Sequence, residues 1–522
     1  MVVALAVALG ALLMGGPWGV PSGRPAVPVG QAAGEDVRIA GVEPASFDPA
    51  ISGDVQTGAV LANLYEGLTA FDPDLNVRPA LAGSWEADPQ WRSIVFHLRD
   101  ELTFSDGSPL GSQDVVRSWL RLLRLRAPLA GLLDDVEGAA GCGPSACDEV
   151  AVGLRALDGA VEVRLRRSAP WFIAATASPA LAVVPAGIDP DGESMRPGSF
   201  VGSGGYVLDA IEPTSLALVA NPRYWAGTPG IARVTVVTAA GTGALQAFRD
   251  GTVDYTDVRD ADARWIRYDA NVGPALRNEP PLAVEFVGFD TTRPPFDDAR
   301  VRRAFALAVD WRALAGRIGG SYEPASSLVP PAIPGRSRLD LLPPYDPDEA
   351  RRLLADAGFP GGAGFPTVAF QTGGAGFEAG MAASLRSAFS RELGIELGEE
   401  VLGDFLSRML GDDRPAFWAL SWIADYPDPY DFLGVLLASG QASNFGRWQN
   451  ADFDAALGRA AVAADAAARV RAYEDAERIV QAEVPVVAVA YPTSWALARE
   501  GLLGAWSGGI GILRYAGLAW AD

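Results

Sequence analysis

Lysine is missing from this chain: all 42 basic residues are arginine, and 522 residues hold one histidine, two cysteines and five methionines. Without lysine there is neither a phosphate-binding Walker loop nor a Schiff base. The single imidazole, His97, lies in the alternating segment SIVFHLRD, a strand pattern, and no serine or cysteine motif accompanies it in sequence. Ser-His-Asp and Cys-His catalysis are therefore excluded, and no HExxH or nucleophile elbow replaces them. So few soft ligands also argue against nickel, haem or any other metal or cofactor. A basic stretch is lacking too. The net charge of -22 repels a polyanion, so nucleic acid is not an expected partner. The amino-terminal apolar run, Val2 to Met14, is too short to span a bilayer and has the length of a signal-peptide core. A Gly/Pro-rich stretch follows to Gly34, so residues 1–33 read as a leader and linker, and export is the natural inference.

What the chain does have is apolar substance, 49% of residues, at a length that exceeds a single core. The pattern mixes strands and helices, an α/β arrangement in two or three lobes. Strands are expected at Val95–Leu102, Ala160–Leu165, Ser215–Val219 and Arg233–Val237. Helices are expected at Thr57–Leu68, Gln113–Leu125, Thr242–Arg249, Asp298–Trp311, Asp346–Ala357, Phe377–Glu392 and Asp465–Ala482. Gly202-Ser203-Gly204-Gly205 precedes a strand pattern rather than a helix, which makes it a tight turn and not a phosphate cradle. Asp297-Asp298 reads as a helix cap and Asp412-Asp413 as a solvated turn. In an exported protein Cys142 and Cys147, within GCGPSAC, pair with each other.

The most telling segment is WIADYPDP, Trp422 to Pro429. Pro427 and Pro429 end any regular element, which places Asp425 where the apolar run Phe417 to Ile423 gives way to a loop. Between Trp422 and Tyr426 a carboxylate suits an ammonium group, with the rings covering adjoining apolar surface. The competing reading is a loop carboxylate in water.

Four further groups of segments carry a resemblance: Phe47–Leu68 with LAGSWEAD and Phe96–Trp119; Val201–Leu208 with Asn221–Trp225; Pro294–Asp310; and Tyr345–Pro366. In order and spacing the chain resembles the extracytoplasmic solute-binding proteins of ABC importers, in the large family that takes oligopeptides, dipeptides, nickel and some oligosaccharides. The resemblance spans about residues 36 to 500. It implies a two-lobed periplasmic-binding-protein-like α/β fold with an additional inserted domain, hinged by two strands, and ligand trapped between the lobes. Lobe one would comprise 35–80, 196–288 and 496–522, the inserted domain 81–195, and lobe two 289–495. The crossings would fall near Gly288–Asp290 and Ala490–Pro492. It also implies that Asp425 holds a peptide's terminal ammonium, while main-chain groups of Ser421 and Ile423, and of Gly53, Asp54 and Val55 on the other lobe, bind the ligand backbone. Relatives that capture the peptide carboxylate often carry an arginine where this chain has Ala419, leaving Arg408 and Arg414 as the nearest substitutes. The implied partners are a peptide or other small solute and the importer's permease. The implied state is an exported monomer at the periplasmic or outer face of the cell membrane. The alternatives are an oligosaccharide ligand, favoured by 14 tryptophans, and a sensor that works without transport.

Overall fold

The computed structural model describes residues 36–521 apart from 52–53, 189–194, 239–242, 259, 319–321 and 375. The leader and linker at 1–33 and Gly53 lie outside the described residues. Two large sheets dominate. The first orders its strands as Leu276–Asn278, Trp495–Ala498, Tyr255–Val258, Val37–Ala40, Arg233–Val237, Ser215–Ala220 and Tyr206–Glu212. The second runs Tyr322–Pro324, Val486–Pro492, Ala283–Phe289, Phe417–Ile423, Val368–Thr372 and Leu397–Val401. Each has its own apolar core: Val37, Leu61, Tyr206, Leu218 and Val234 against the first, and Phe289, Phe305, Phe389 and Phe417 against the second. A smaller four-stranded sheet, Ala82–Ala87, Ser93–Leu98, Ala160–Arg164 and Leu154–Leu157, packs beneath the helix Ser112–Leu125. The molecule is thus a two-lobed α/β structure with a third unit.

The chain passes between the two large sheets twice, at 279–282 and at 493–494. Glu279 N donates to Ser494 O (2.8 Å), so the two passages lie side by side. The first comes earlier than the sequence suggests. Ala283–Phe289 pairs along its whole length with Phe417–Ile423, so Gly288 is inside the second sheet. The break falls at Pro280-Pro281, which cannot donate to a ladder. Asp290, expected at the crossing, instead accepts from Thr292 and Arg293 within the second lobe.

Local departures have local causes. The helix expected over Asp298–Trp311 is two, Ala299–Leu307 and Trp311–Ile318, because Asp310 accepts from Ala313 N (3.0 Å) and starts the second. Asp298 caps the first, as the sequence indicates. Gly202 and Gly204 bend the chain over the end of the helix Val55–Leu64: a Cβ on Gly202 would stand 2.2 Å from Leu64 O, and one on Gly204 2.5 Å from Asn63 O. Close approach, rather than the bend alone, demands glycine there.

Cys142 and Cys147 are disulfide-bonded. Closing so short a loop stabilises by only about 2 kcal/mol in the chain-entropy view. Replacing both by serine is expected to lower the unfolding free energy in urea by no more than that.

Candidate functional site

The strand Phe417–Ile423 ends two residues before Asp425, and the helix Pro429–Leu437 begins four after it. The intervening turn is held from beneath by Asp428. This buried N-cap accepts from Tyr430 N (2.9 Å), the Tyr473 hydroxyl (3.0 Å) and the Arg469 guanidinium (2.8 Å). Proline at the first helical position has no N–H to lose, so Asp-Pro is a strong helix start. The prolines of the sequence suggest an end to regular structure, whereas Asp428-Pro429, with Asp431 in the first turn, starts a helix.

Asp431 is the unforeseen residue. It is fully buried, and its Oδ2 accepts from Trp422 Nε1 (2.9 Å) and Asp425 N (3.3 Å). Its Oδ1 has no hydrogen-bond partner. Burial raises the pKa of both carboxyls, Asp425 to about 6, and the charge of Asp425 pushes Asp431 up further. The helix amino terminus offsets part of this cost.

Asp425 is partly buried and opens on two cavities. One is walled by Leu129, Asp134, Asp135, Arg167, Trp171 and Phe172 of the inserted unit and by Trp422, Tyr426 and Tyr430. Trp171 and Tyr430 stack there, with ring centroids 3.5 Å apart. The other brings Asp425 to Asp54, Val55, Leu61 and Phe71 of the first lobe, with Ile510 and Ile512 of the carboxy-terminal segment. Asp54 caps the helix Val55–Leu64 by accepting from Thr57 N (2.8 Å). The cavities measure about 140 Å³ and about 100 Å³. Each is smaller than the roughly 300 Å³ at which small-molecule pockets begin, so a larger ligand enters only when the walls part.

The structure thus brings Asp425, Trp422 and Tyr426 together with Asp54 and Val55 across the seam. Ser421 and Ile423 are exposed and line neither cavity. Their strand pairs fully with Ala283–Phe289, whereas Val368–Thr372 pairs only with Phe417 and Trp418. On that side the main chain of 419–423 has no strand neighbour among the described residues. Arg408 lines neither cavity and is engaged by Asp404 and Asp413. Arg414 lines a larger cavity, about 580 Å³, at the opposite end of the same strand. That cavity is lined from the second lobe alone, with Arg302, Arg447, Asp297 and Glu483.

Two measurements check this geometry. Truncating Asp428 to alanine leaves Arg469 buried without its carboxylate, and urea denaturation is expected to show a loss of about 3 to 5 kcal/mol. A carboxyl whose pKa is higher folded than unfolded stabilises the fold below its unfolded value, near 4, and that stabilisation is lost as pH rises through about 6. Asp425→Asn is therefore expected to gain on the order of 2 kcal/mol over the parent protein between pH 4 and pH 8.

Comparison with known proteins agrees with this architecture. A solved structure described as clavulanic acid biosynthesis oligopeptide binding protein 2 superposes with a TM-score of 0.83 at 24% identity, covering 96% of that chain and 94% of this one. The probable deoxycholate-binding periplasmic protein YgiS of Escherichia coli is 30% identical over 476 residues, 86% of each chain. The periplasmic murein peptide-binding protein MppA of the same organism is 26% identical over 90% of each. The pattern described as bacterial extracellular solute-binding proteins, family 5 Middle, matches residues 76–444. The chain belongs to the family 5 bacterial extracellular solute-binding proteins.

Proposed function

We propose that the chain is the exported receptor of an ABC importer, that it binds a peptide between its lobes with the terminal ammonium on Asp425, and that it delivers this ligand to the permease. The observation that carries the reading is a carboxylate at the seam of three units, backed by a second, buried carboxyl and, among the described residues, paired with no protein cation; Arg167 of the same cavity pairs with Asp135. A charge-assisted contact to an ammonium there is worth about 1.5 to 3 kcal/mol. The unpaired main chain of Ser421 and Ile423 supports the ligand as an added strand, and Asp54 and Val55 line the facing cavity from the first lobe.

Export and the importer partnership rest on the family and on relatives named as periplasmic. The division at residues 279–282 and 493–494 serves as the hinge, with the inserted unit moving with whichever lobe it packs against. Arg121 on Asp48, Thr69 on Thr176 and Gly202 on Ser105 favour the first. Membership in a family of solute-binding proteins supports a binding role. Deoxycholate, a carboxylate, is a poor match for this site, because Asp54, Asp134, Asp135 and Asp425 line the cavities.

The test is a thermodynamic cycle. Asp425→Asn is expected to weaken a peptide with a free amino terminus by about 2 kcal/mol, close to thirtyfold. Acetylating the peptide costs the parent protein a similar amount and the variant little. Simple addition of the two losses in calorimetry returns Asp425 to the role of a solvated loop residue.

A further inference from the structure

The charges around Asp425 do not balance. Asp54, Asp134, Asp135 and Asp425 line the two cavities, and Asp431 stands directly behind. Among the described residues of both walls the one basic side chain is Arg167. It is already spoken for: its Nε donates to Asp135 Oδ1 (2.5 Å), its Nη2 to Asp135 Oδ2 (3.2 Å), and its guanidinium lies 5.1 Å from the centre of the Tyr430 ring. Arg408 is engaged by Asp404 and Asp413, and Arg414 lies at the far end of the strand. The remaining walls are uncharged: Val55, Leu61, Phe71, Leu129, Ile510 and Ile512 are apolar, and Ser178, Gln441 and Ser443 are neutral polar groups.

Resting on the peptide reading above, we infer that this receptor selects its ligand through a single cationic end and provides no cation for a ligand carboxylate. A carboxylate drawn into such a wall loses its hydration, meets like charge and finds no available cation, which is costly on each count. The opposite end of a bound peptide must then reach solvent or be neutral. The fully buried Asp431, with Oδ1 unpartnered, points the same way. Asp425, backed by the buried Asp431 and without a counter-ion among the described residues, is completed by one positive charge from the ligand. The apolar wall beside Asp425 takes an uncharged side chain next to that ammonium.

Competition in native mass spectrometry tests this, with the complete chain, an equimolar tripeptide mixture as free acids and the same mixture as carboxy-terminal amides. The inference expects amides to be bound at least as well as acids. A tenfold or greater preference for the acids overturns it. If that preference vanishes in Arg167→Gln, Arg167 is identified as the carboxylate's partner. An amino-terminally acetylated mixture separates the two levels of argument. Binding lost on acetylation but favoured by a free carboxylate overturns this inference alone. Binding indifferent to acetylation, or no peptide binding at all, overturns the ammonium reading and this inference with it.

Discussion

A carboxyl group buried without a cation is expensive, and this protein sets one, Asp431, directly behind the partly buried Asp425 at the seam of its units. Asp425 and Asp431 are linked through a main-chain N–H, and what holds them is a set of neutral donors and a helix start: Trp422 Nε1, Asp425 N and the first turn of Pro429–Leu437. Much of the nearby structure keeps that arrangement fixed. Asp428 clamps the turn to Arg469 and Tyr473 of the neighbouring helix Ala466–Glu483, Ala283–Phe289 pairs with the whole of the strand leading in, and Tyr430 locks onto Trp171 of the inserted unit. A ligand cation at Asp425 would recover part of that cost.

The cavity around Arg414 is larger than either cavity at Asp425 but differs from them in its walls. The space around Arg302, Arg414 and Arg447 is more open, yet its walls belong to one lobe, and Arg302 spends its donors on the backbone carbonyls of Phe296, Glu483 and Val484. The smaller cavities at Asp425 are lined by three units, so their size and dielectric depend on lobe separation, which is the property a trapping receptor needs.

Much of the fold was legible in the sequence. Phe417–Ile423 and Arg233–Val237 are strands with the bounds their apolar patterns indicate, because alternation and β-branched residues report a half-buried pleat directly. What escaped was decided by partners far away in sequence. One residue of Pro280-Pro281 and Pro294-Pro295 looks much like the next, and only the full-length pairing of Ala283–Phe289 shows that the first pair breaks the sheet. At the site, Asp425 was visible through its aromatic and proline neighbours. Asp431 was not, since a first-turn aspartate ordinarily serves its own helix, and its grip on Trp422 appears only when strand and helix are folded back together. Arg408 and Arg414 are near the motif in sequence, but a strand separates them from Asp425 in space.

The central claim is that Asp425 receives a ligand's positive end inside the seam. A crystal structure of the complex with a bound peptide tests it most directly. The account predicts the peptide's terminal nitrogen about 3 Å from an Asp425 carboxylate oxygen, with its main chain alongside Ser421 and Ile423. A peptide seated with its ammonium in solvent, or bound in the cavity around Arg414, would contradict it.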